Sequence, residues 1–448
     1  MRVTTAIAAL LFLISCSGSP EGKQRLPNFV VIMADDLGYG DLSTYGGWID
    51  VPNIDRMAAE GLKFTDFHSN GAVCSPTRAA LMTGRYQQRA GLPIVVFAPE
   101  DRPTHVDGLQ AVELTFAEAL GDTGYATALF GKWHLGYYPR YNPVRHGFDE
   151  FKGYVSGNID FFSHVDGAGR FDWWHGEEKS DEPGYVTTLI NKHSVRFIED
   201  HYDDAFCLYV AHEAPHSPYQ GPNDDPGGFR QVGGFSGQLS LSGDVVKEKY
   251  REMVVEMDNG VGAILETLSR LGIADRTLVL FFSDNGATPR GSNGSLRGHK
   301  GSVWEGGHRV PAVAWQPGAI SGGTVTDQLA ATMDVWPTLA ELAGVSEPVE
   351  RPLDGVSLVP VLAGGTVDRG PMFWSFMDGL AMRDGNWKLV SGEDGSEQPM
   401  LFDLGSDLAE ANDVAAHETD RVAQMAVEAS EWLRSVNADA TPQPSTSQ

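Results

Sequence analysis

Leu26-Pro27-Asn28-Phe29-Val30-Val31-Ile32-Met33-Ala34 runs directly into Asp35-Asp36-Leu37-Gly38. A short, almost wholly apolar run has no face to offer water, which suits a central strand covered on both sides of a sheet. The pattern recurs far down the chain, where Leu278-Val279-Leu280-Phe281-Phe282-Ser283 ends in Asp284-Asn285-Gly286. As parallel neighbours, the two strands bring four oxygen-bearing side chains to one sheet edge, where open α/β sheets place ligands. Adjacent carboxylates there repel each other without a cation. Carboxylate and amide oxygens lacking His or Cys favour Ca²⁺ or another hard cation. Either pair alone fits capping or a turn equally well; the matched strand ends give the two their weight.

Working outward, Asn53 to Gly61 reads as a short helix and Leu62 to Thr65 as a strand. Thr115-Phe116-Ala117-Glu118 is a capping box opening a helix, and Gly124 to Phe130 is a strand leading into Gly131-Lys132-Trp133-His134-Leu135-Gly136. Tyr185 to Asp200 reads as a helix. Phe206 to Ala211 is a buried strand ending in His212-Glu213-Ala214-Pro215-His216-Ser217-Pro218, and Val245 to Leu271 is a long helix. Strands alternating with helices predict an α/β fold with a mostly parallel central sheet. From Pro371 to Leu404 the pattern changes to short strands with turns at Asp384-Gly385-Asn386 and Asp394-Gly395, a small antiparallel sheet. Val422, Met425, Ala426, Ala429 and Leu433 mark the packing face of a final helix. Tyr141 to Gly184, rich in Gly, aromatics and His, reads as long loops. Their rings would stack on a sugar or simply pin the loops. Asn223 to Ser242 is a Gly-rich loop.

One stretch carries chemistry of its own: Val73-Cys74-Ser75-Pro76-Thr77-Arg78-Ala79-Ala80-Leu81-Met82-Thr83-Gly84-Arg85. Ser75 suits an N-cap, Pro76 a first helical position, and Gly84 a left-handed C-cap. Cys74 then faces unpaired N–H groups and the positive end of a helix dipole, a setting for a thiolate or for handling an anion. An ordinary buried cysteine fits the same residues.

Cys74-Ser75-Pro76-Thr77-Arg78, followed by Ala79-Ala80-Leu81-Met82-Thr83-Gly84-Arg85, closely resembles the signature of the type I sulfatases, within the alkaline phosphatase superfamily. Gly124-Tyr125-Ala126-Thr127 through Gly131-Lys132-Trp133-His134-Leu135-Gly136 resembles the second signature of that family. Leu296-Arg297-Gly298-His299-Lys300-Gly301, continuing through Glu305-Gly306-Gly307-His308-Arg309-Val310-Pro311, resembles a third segment. The likeness runs from about Asn28 to Asn412. It implies an alkaline-phosphatase-like large domain with a small C-terminal antiparallel sheet and helix. It also implies that Cys74 is oxidised to formylglycine by a formylglycine-generating enzyme or an anaerobic sulfatase maturase. One Ca²⁺ would be held by Asp35, Asp36, Asp284 and Asn285 together with residue 74. By the same resemblance Lys132, Lys300 and Arg78 stabilise the sulfuryl anion, His134 serves the formylglycine hydroxyl, and His216 protonates the leaving oxygen. It leaves the role of His212 open. The expected activity is hydrolysis of sulfuric esters. A phosphonate or phosphate ester hydrolase of the same superfamily and a non-catalytic, lipid-anchored glycan-binding protein are the alternatives.

The ends and the composition bound the setting. Met1-Arg2 precedes an apolar run from Ala6 to Ile14 that is too short to span a membrane and ends in Leu13-Ile14-Ser15-Cys16. This resembles a bacterial lipobox, so the expectation is an exported, periplasmic or cell-surface protein anchored by a lipid on Cys16. A plain secretory signal is the other reading. The expected division is a signal peptide at 1–15, a tether at 16–25, the catalytic domain at 26–365, a C-terminal subdomain at 366–436 and a disordered tail at 437–448. Cys16, Cys74 and Cys207 form no C-x-x-C pair, which removes a structural zinc site and a disulfide framework. Cys207, inside an apolar run, reads as core. A net charge of −27 excludes a nucleic-acid role and requires a local cationic patch if the substrate is an anion. Export, the aromatic loops and salt screening beyond about 8 Å point to sulfated glycan oligosaccharides of algal galactan type as substrate.

Overall fold

The computed structural model of this chain describes residues 25–98, 106–226, 242–393, 395–396 and 398–444. The expected signal peptide and Cys16 therefore lie outside the described residues, as does most of the Gly-rich loop before the long helix. Among the described residues no helix is long and apolar enough to cross a membrane.

The apolar run forms β1 (Asn28–Ala34), buried throughout. It is followed by α1 (Pro52–Glu60), β2 (Leu62–Phe64), β3 (Phe67–His68), α2 (Cys74–Thr83), α3 (Phe116–Gly121), β4 (Ala126–Lys132) and β5 (Glu150–Tyr154). Next come β6 (Trp174–His175), β7 (Glu178–Lys179), α4 (Val186–Asp200), β8 (Phe206–Ala211), α5 (Gly243–Arg270), β9 (Thr277–Ser283), α6 (Glu305–His308) and β10 (Ala312–Trp315). The chain continues through β11 (Thr324–Thr326), β12 (Ala330–Ala331), α7 (Val335–Ala343) and α8 (Val359–Leu362). It closes with β13 (Met372–Phe376), β14 (Gly379–Asp384), β15 (Trp387–Ser391), β16 (Met400–Asp403) and α9 (Thr419–Ala438).

Ten strands make one sheet in the order β11-β2-β10-β9-β1-β8-β4-β5-β6-β7. β1 lies at its centre, parallel to β9 on one side and β8 on the other, with Ala34 level with Ser283 and Met33 level with Ala211. The register therefore delivers Asp35, Asp284 and His212 to the same edge. Backbone bonds continue past the strands: Asp284 N donates to Ala34 O, His212 N to Met33 O and Asp35 N to Ala214 O. Alternate residues of the central strands enter two separate apolar layers. Phe29, Val31 and Met33 face one, with α2, α3 and α7, and Val30 and Ile32 face the other, with α1, α4 and α5. This two-sided burial is why the strand sequences carry no polar alternation. The second sheet is antiparallel, β13-β14-β15-β16, and α9 packs on it through Met425 and Ala429. Its other face meets Ala80, Tyr86 and Trp304 of the larger unit. The fold is thus the α/β architecture the sequence predicted, with the small sheet and its helix.

Three local expectations change. Ser75 does not cap α2: the helix starts at Cys74, Val73 is its N-cap, and Ser75 Oγ instead accepts from Val96 N. The segment from 141 to 184 is not all loop, because Glu150-Phe151-Lys152-Gly153-Tyr154 pairs in parallel with β4. The tail expected to be disordered is packed over residues 439–444. There Thr441 is buried, its N–H bonds Arg89 O, and its hydroxyl meets Glu113 and Arg351. A polar segment can be ordered by buried charges as well as by apolar area, which composition does not reveal. The remaining signals hold: Thr115 and Glu118 form a reciprocal capping box, and Gly84 closes α2 at φ +65°.

Candidate active site

Cys74 opens α2 in a cavity of about 250 Å³, and His134, His216 and Lys300 line the same space. Each arrives from a different element. β4 ends at Lys132, and the chain then turns at His134 with φ +54°. The turn after β8 carries His212, Glu213 and His216. Lys300 sits on a loop tied back to the Cys74 segment by a bond from Gly301 N to Ala72 O. Gly157 passes so close to His134 that a Cβ there would stand 2.8 Å from the imidazole. Only glycine lets that loop roof the histidine.

Arg78, one helical turn after Cys74, is buried and organises the strand ends. Its guanidinium donates to Asp284 at 3.0 Å, to Asp35 at 3.5 Å and to Lys132 O at 2.9 Å. Lys132 Nζ bonds Asp35, and Lys300 Nζ bonds Asp36 at 2.5 Å. His216 Nε2 stands 3.7 Å from Asp36, while its Nδ1 meets Ser217 O at 2.6 Å. Asn285 Nδ2 donates to Asp36 at 2.7 Å. His134 Nε2 bonds Val96 O at 3.1 Å, and its buried Nδ1 has no partner among the described residues. The structure thus brings together every residue predicted for the site.

Electrostatics follow from burial and from this crowding. Burial opposes ionisation of Asp35, but Lys132, with His216 and Arg78, prevails and holds its carboxyl far below the usual range. Burial and the charge on Asp35 push Asp284 the other way, despite Arg78. The two carboxylates therefore resist being ionised together. Asp36 raises Lys300 against the pull of burial, so this lysine stays cationic. Burial, helped by Lys132 and Arg78, drives His134 well below its ordinary value, and burial also lowers His216 despite Asp36. The thiolate expected for Cys74 is not favoured. Burial pushes the thiol up, and Lys132 and Lys300 only partly oppose it.

The donor set suits a hard cation. Asp35 Oδ1 and Asn285 Oδ1 are buried without a partner among the described residues, which otherwise costs free energy. Ligand atoms of Asp35, Cys74 and Asp284 lie within 4.8 Å of one another. The carboxylate oxygens, with Asn285 Oδ1, match Ca²⁺ once residue 74 offers an oxygen in place of its thiol.

Sequence reasoning missed Glu213, Asp166 and Arg170 as neighbours of the site, and named His212 without a role. Glu213 is buried, its carboxyl pushed well up by burial, and it accepts from Ile159 N at 2.8 Å. His212 is buried with both ring nitrogens unpartnered among the described residues. Asp166 and Arg170 line the cavity mouth as an ion pair at 2.6 Å. Their place in the expected loop region was the only signal available.

Comparisons with known proteins place the chain in a family. The Sulfatase family model matches residues 27–345, and the model for the C-terminal region of N-sulphoglucosamine sulphohydrolase matches residues 299–437. N-acetylgalactosamine-6-sulfatase from Mus musculus is 32% identical over 477 residues, covering 94% of this chain and 88% of its own length. Arylsulfatase A from Bos taurus is 35% identical, with coverage of 92% and 88%. Among solved structures, Ps i-CgsB superposes with a TM-score of 0.82 at 28% identity, covering 93% of this chain and 94% of its own. The phosphonate monoester hydrolase of Agrobacterium radiobacter shares the fold, with a TM-score of 0.65 at 24% identity over 92% of this chain and 95% of its own. A family match over most of the chain, together with relatives above 30% identity along nearly its full length, identifies the protein: it belongs to the sulfatase family of sulfuric ester hydrolases.

Proposed function

We propose that this sulfatase removes sulfate from sulfated carbohydrates, using Cys74 after its oxidation to formylglycine by a dedicated maturation enzyme. The observation that carries the reading is the placing of Cys74 in one cavity with Lys300, His134 and His216, with Lys132 and Arg78 buried behind it. A net charge of −27 spread over the surface does not reach into a pocket whose own cations are this close.

The hydrated aldehyde at position 74 supplies an attacking oxygen and a second hydroxyl, so that sulfate can leave without waiting for an outside water. The remaining roles belong to the side chains. Lys132, Lys300 and Arg78 offer fixed positive charge to the sulfuryl oxygens in a site that excludes most water, where such donors act most strongly. His216, part-buried in the cavity wall and facing the same Asp36 as Lys300, hands a proton to the departing sugar oxygen. His134 is kept neutral by burial and can accept the proton of the second hydroxyl through Nδ1. Asp35, Asp36, Asp284 and Asn285, with the oxygen on residue 74, would hold one Ca²⁺, which supplies charge stabilisation for the anion.

Carbohydrate is favoured by two lines of support. The relatives include N-acetylgalactosamine-6-sulfatases, and Ps i-CgsB is also known in complex with k-i-k-neocarrahexaose, at 27% identity to this chain and a TM-score of 0.81. Export with a lipid anchor on Cys16 is part of the same proposal and rests on the N-terminal sequence pattern. The test is kcat/KM of the matured enzyme on a panel of sulfated oligosaccharides, a nitrophenyl sulfate and the matching phosphate and phosphonate esters. A strong preference for the aryl ester, with no turnover of any sulfated sugar, would overturn the carbohydrate reading. Faster phosphonate hydrolysis would favour the other branch of the superfamily.

A further inference from the structure

The cavity that holds Cys74 does not end at the sulfate pocket. A second cavity, of about 200 Å³, lies beside it: Tyr137, Asp166 and Arg170 line both, and Tyr138, Trp174 and Lys179 line the second alone. The shared boundary is rigid. Asp166 Oδ2 accepts from Arg170 Nε at 2.9 Å and Nη2 at 2.6 Å, while its Oδ1 accepts from the N–H groups of Ala168 and Arg170. Arg170 also lies over the Tyr137 ring, 5.4 Å from its centroid. The far wall is equally fixed. Trp174 is held by β-pairing with Gly153 and donates Nε1–H to Asp172 at 2.5 Å. Asp172 spends its second oxygen on Ser156 N. Lys179, across the β6–β7 hairpin, anchors on Phe171 O at 2.7 Å and stands 5.3 Å from the Trp174 ring.

Both carboxylates are therefore committed to internal partners, while the partly exposed rings of Tyr138 and Trp174 and the exposed ammonium of Lys179 remain at the surface. Ring faces beside a cationic donor form a surface that accepts the C–H face of a sugar and binds its hydroxyl or sulfate oxygens. From these observations we infer that the second cavity is a subsite for the sugar adjoining the one that carries the scissile sulfate. The enzyme would then be built for oligosaccharides rather than for sulfated monosaccharides. The inference rests on the carbohydrate reading proposed above.

The test compares kcat/KM of the matured enzyme for a sulfated monosaccharide and for oligosaccharides extending from the same sulfated ring. Extension should raise kcat/KM about tenfold, the scale of one well-placed ring contact. Trp174→Ala and Tyr138→Ala should each remove most of that gain through KM, with Trp174→Phe retaining part of it. No gain on extension in the wild type would sink the subsite while leaving the carbohydrate reading intact. An equal loss on short and long substrates in both alanine variants would also overturn it. Hydrolysis of an aryl sulfate with no sulfated sugar turned over would end both readings.

Discussion

Lys132→Met is the perturbation whose size the geometry fixes best. The substitution keeps an unbranched side chain of similar length in a fully packed position and deletes only the ammonium. Lys132 and Asp35 are both 0% exposed and in direct contact, so the deletion acts on catalysis and on stability at once. For catalysis, one charged donor to the sulfuryl oxygens is lost. A single preorganised donor in such a site is worth about 2.7–4 kcal/mol, or about 10²–10³ in kcat. For stability, removing one partner of a buried pair costs about 3–5 kcal/mol when the remaining charge has no other support. Here Arg78 Nη2 stays 3.5 Å from Asp35, and a bound cation would add to it, so the cost falls toward the low end. The assay is kcat and KM on a nitrophenyl sulfate and on a sulfated oligosaccharide, with thermal unfolding of the same preparation and its formylglycine content measured. The expected result is a loss in kcat of about 10²–10³ on both substrates, in protein that remains folded. Activity within about threefold of wild type, far below the loss expected for a charged donor, would refute the assignment of Lys132 to the transition state.

Two further outcomes follow from the same structure. Chelation should lower both activity and melting temperature, because Asp35, Asp36 and Asp284 then repel one another, and Ca²⁺ should restore both; a cation at a hundred times its Kd contributes about 2.7 kcal/mol. Full activity in metal-stripped protein would exclude the shared cation site. His146 is buried against Trp133, with no partner for either ring nitrogen among the described residues, and burial pushes it down to about 4 from 6.5. A depressed base binds its proton more readily when unfolded, so its contribution is complete above pH 6.5 and is lost as the pH falls toward about 4. Denaturant melts across that window should show a fall of up to about 3 kcal/mol from this group. His146→Phe should flatten that part of the curve, and an unchanged slope would show that His146 is not held neutral.

The sheet was legible because its central strands are covered on both faces, and such strands announce themselves as unbroken apolar runs ending in polar residues. The same logic located Asp35, Asp36, Asp284 and Asn285, and the motif likenesses supplied Cys74, Lys132, His134, His216 and Lys300. What stayed hidden depends on partners distant in sequence. Nothing local in Glu150-Phe151-Lys152-Gly153-Tyr154 says that it will extend the sheet beside β4. The helix dipole at Cys74 argued for a thiolate, but complete burial of the thiol outweighs a dipole of fractional charge. Lys388 of β15, buried between Glu305 and Glu410, ties the small sheet to the start of α6 through a charge more than eighty residues away. No periodicity or composition encodes such a pairing. The subsite proposed beyond Arg170 was legible only in outline: the aromatic stretch from 141 to 184 offered rings for a sugar, but only the folded chain sets Trp174 and Lys179 of the β6–β7 hairpin beside Tyr138.

The formylglycine mechanism is tested most directly by the mass of the tryptic peptide covering residues 64–78, measured in protein produced beside a maturation enzyme and set against sulfate release by that same sample. The peptide should carry an aldehyde in place of the Cys74 thiol. Sulfatase activity should rise in proportion to the converted fraction and vanish in Cys74→Ala. Full activity in protein whose Cys74 remains an unmodified thiol would contradict it.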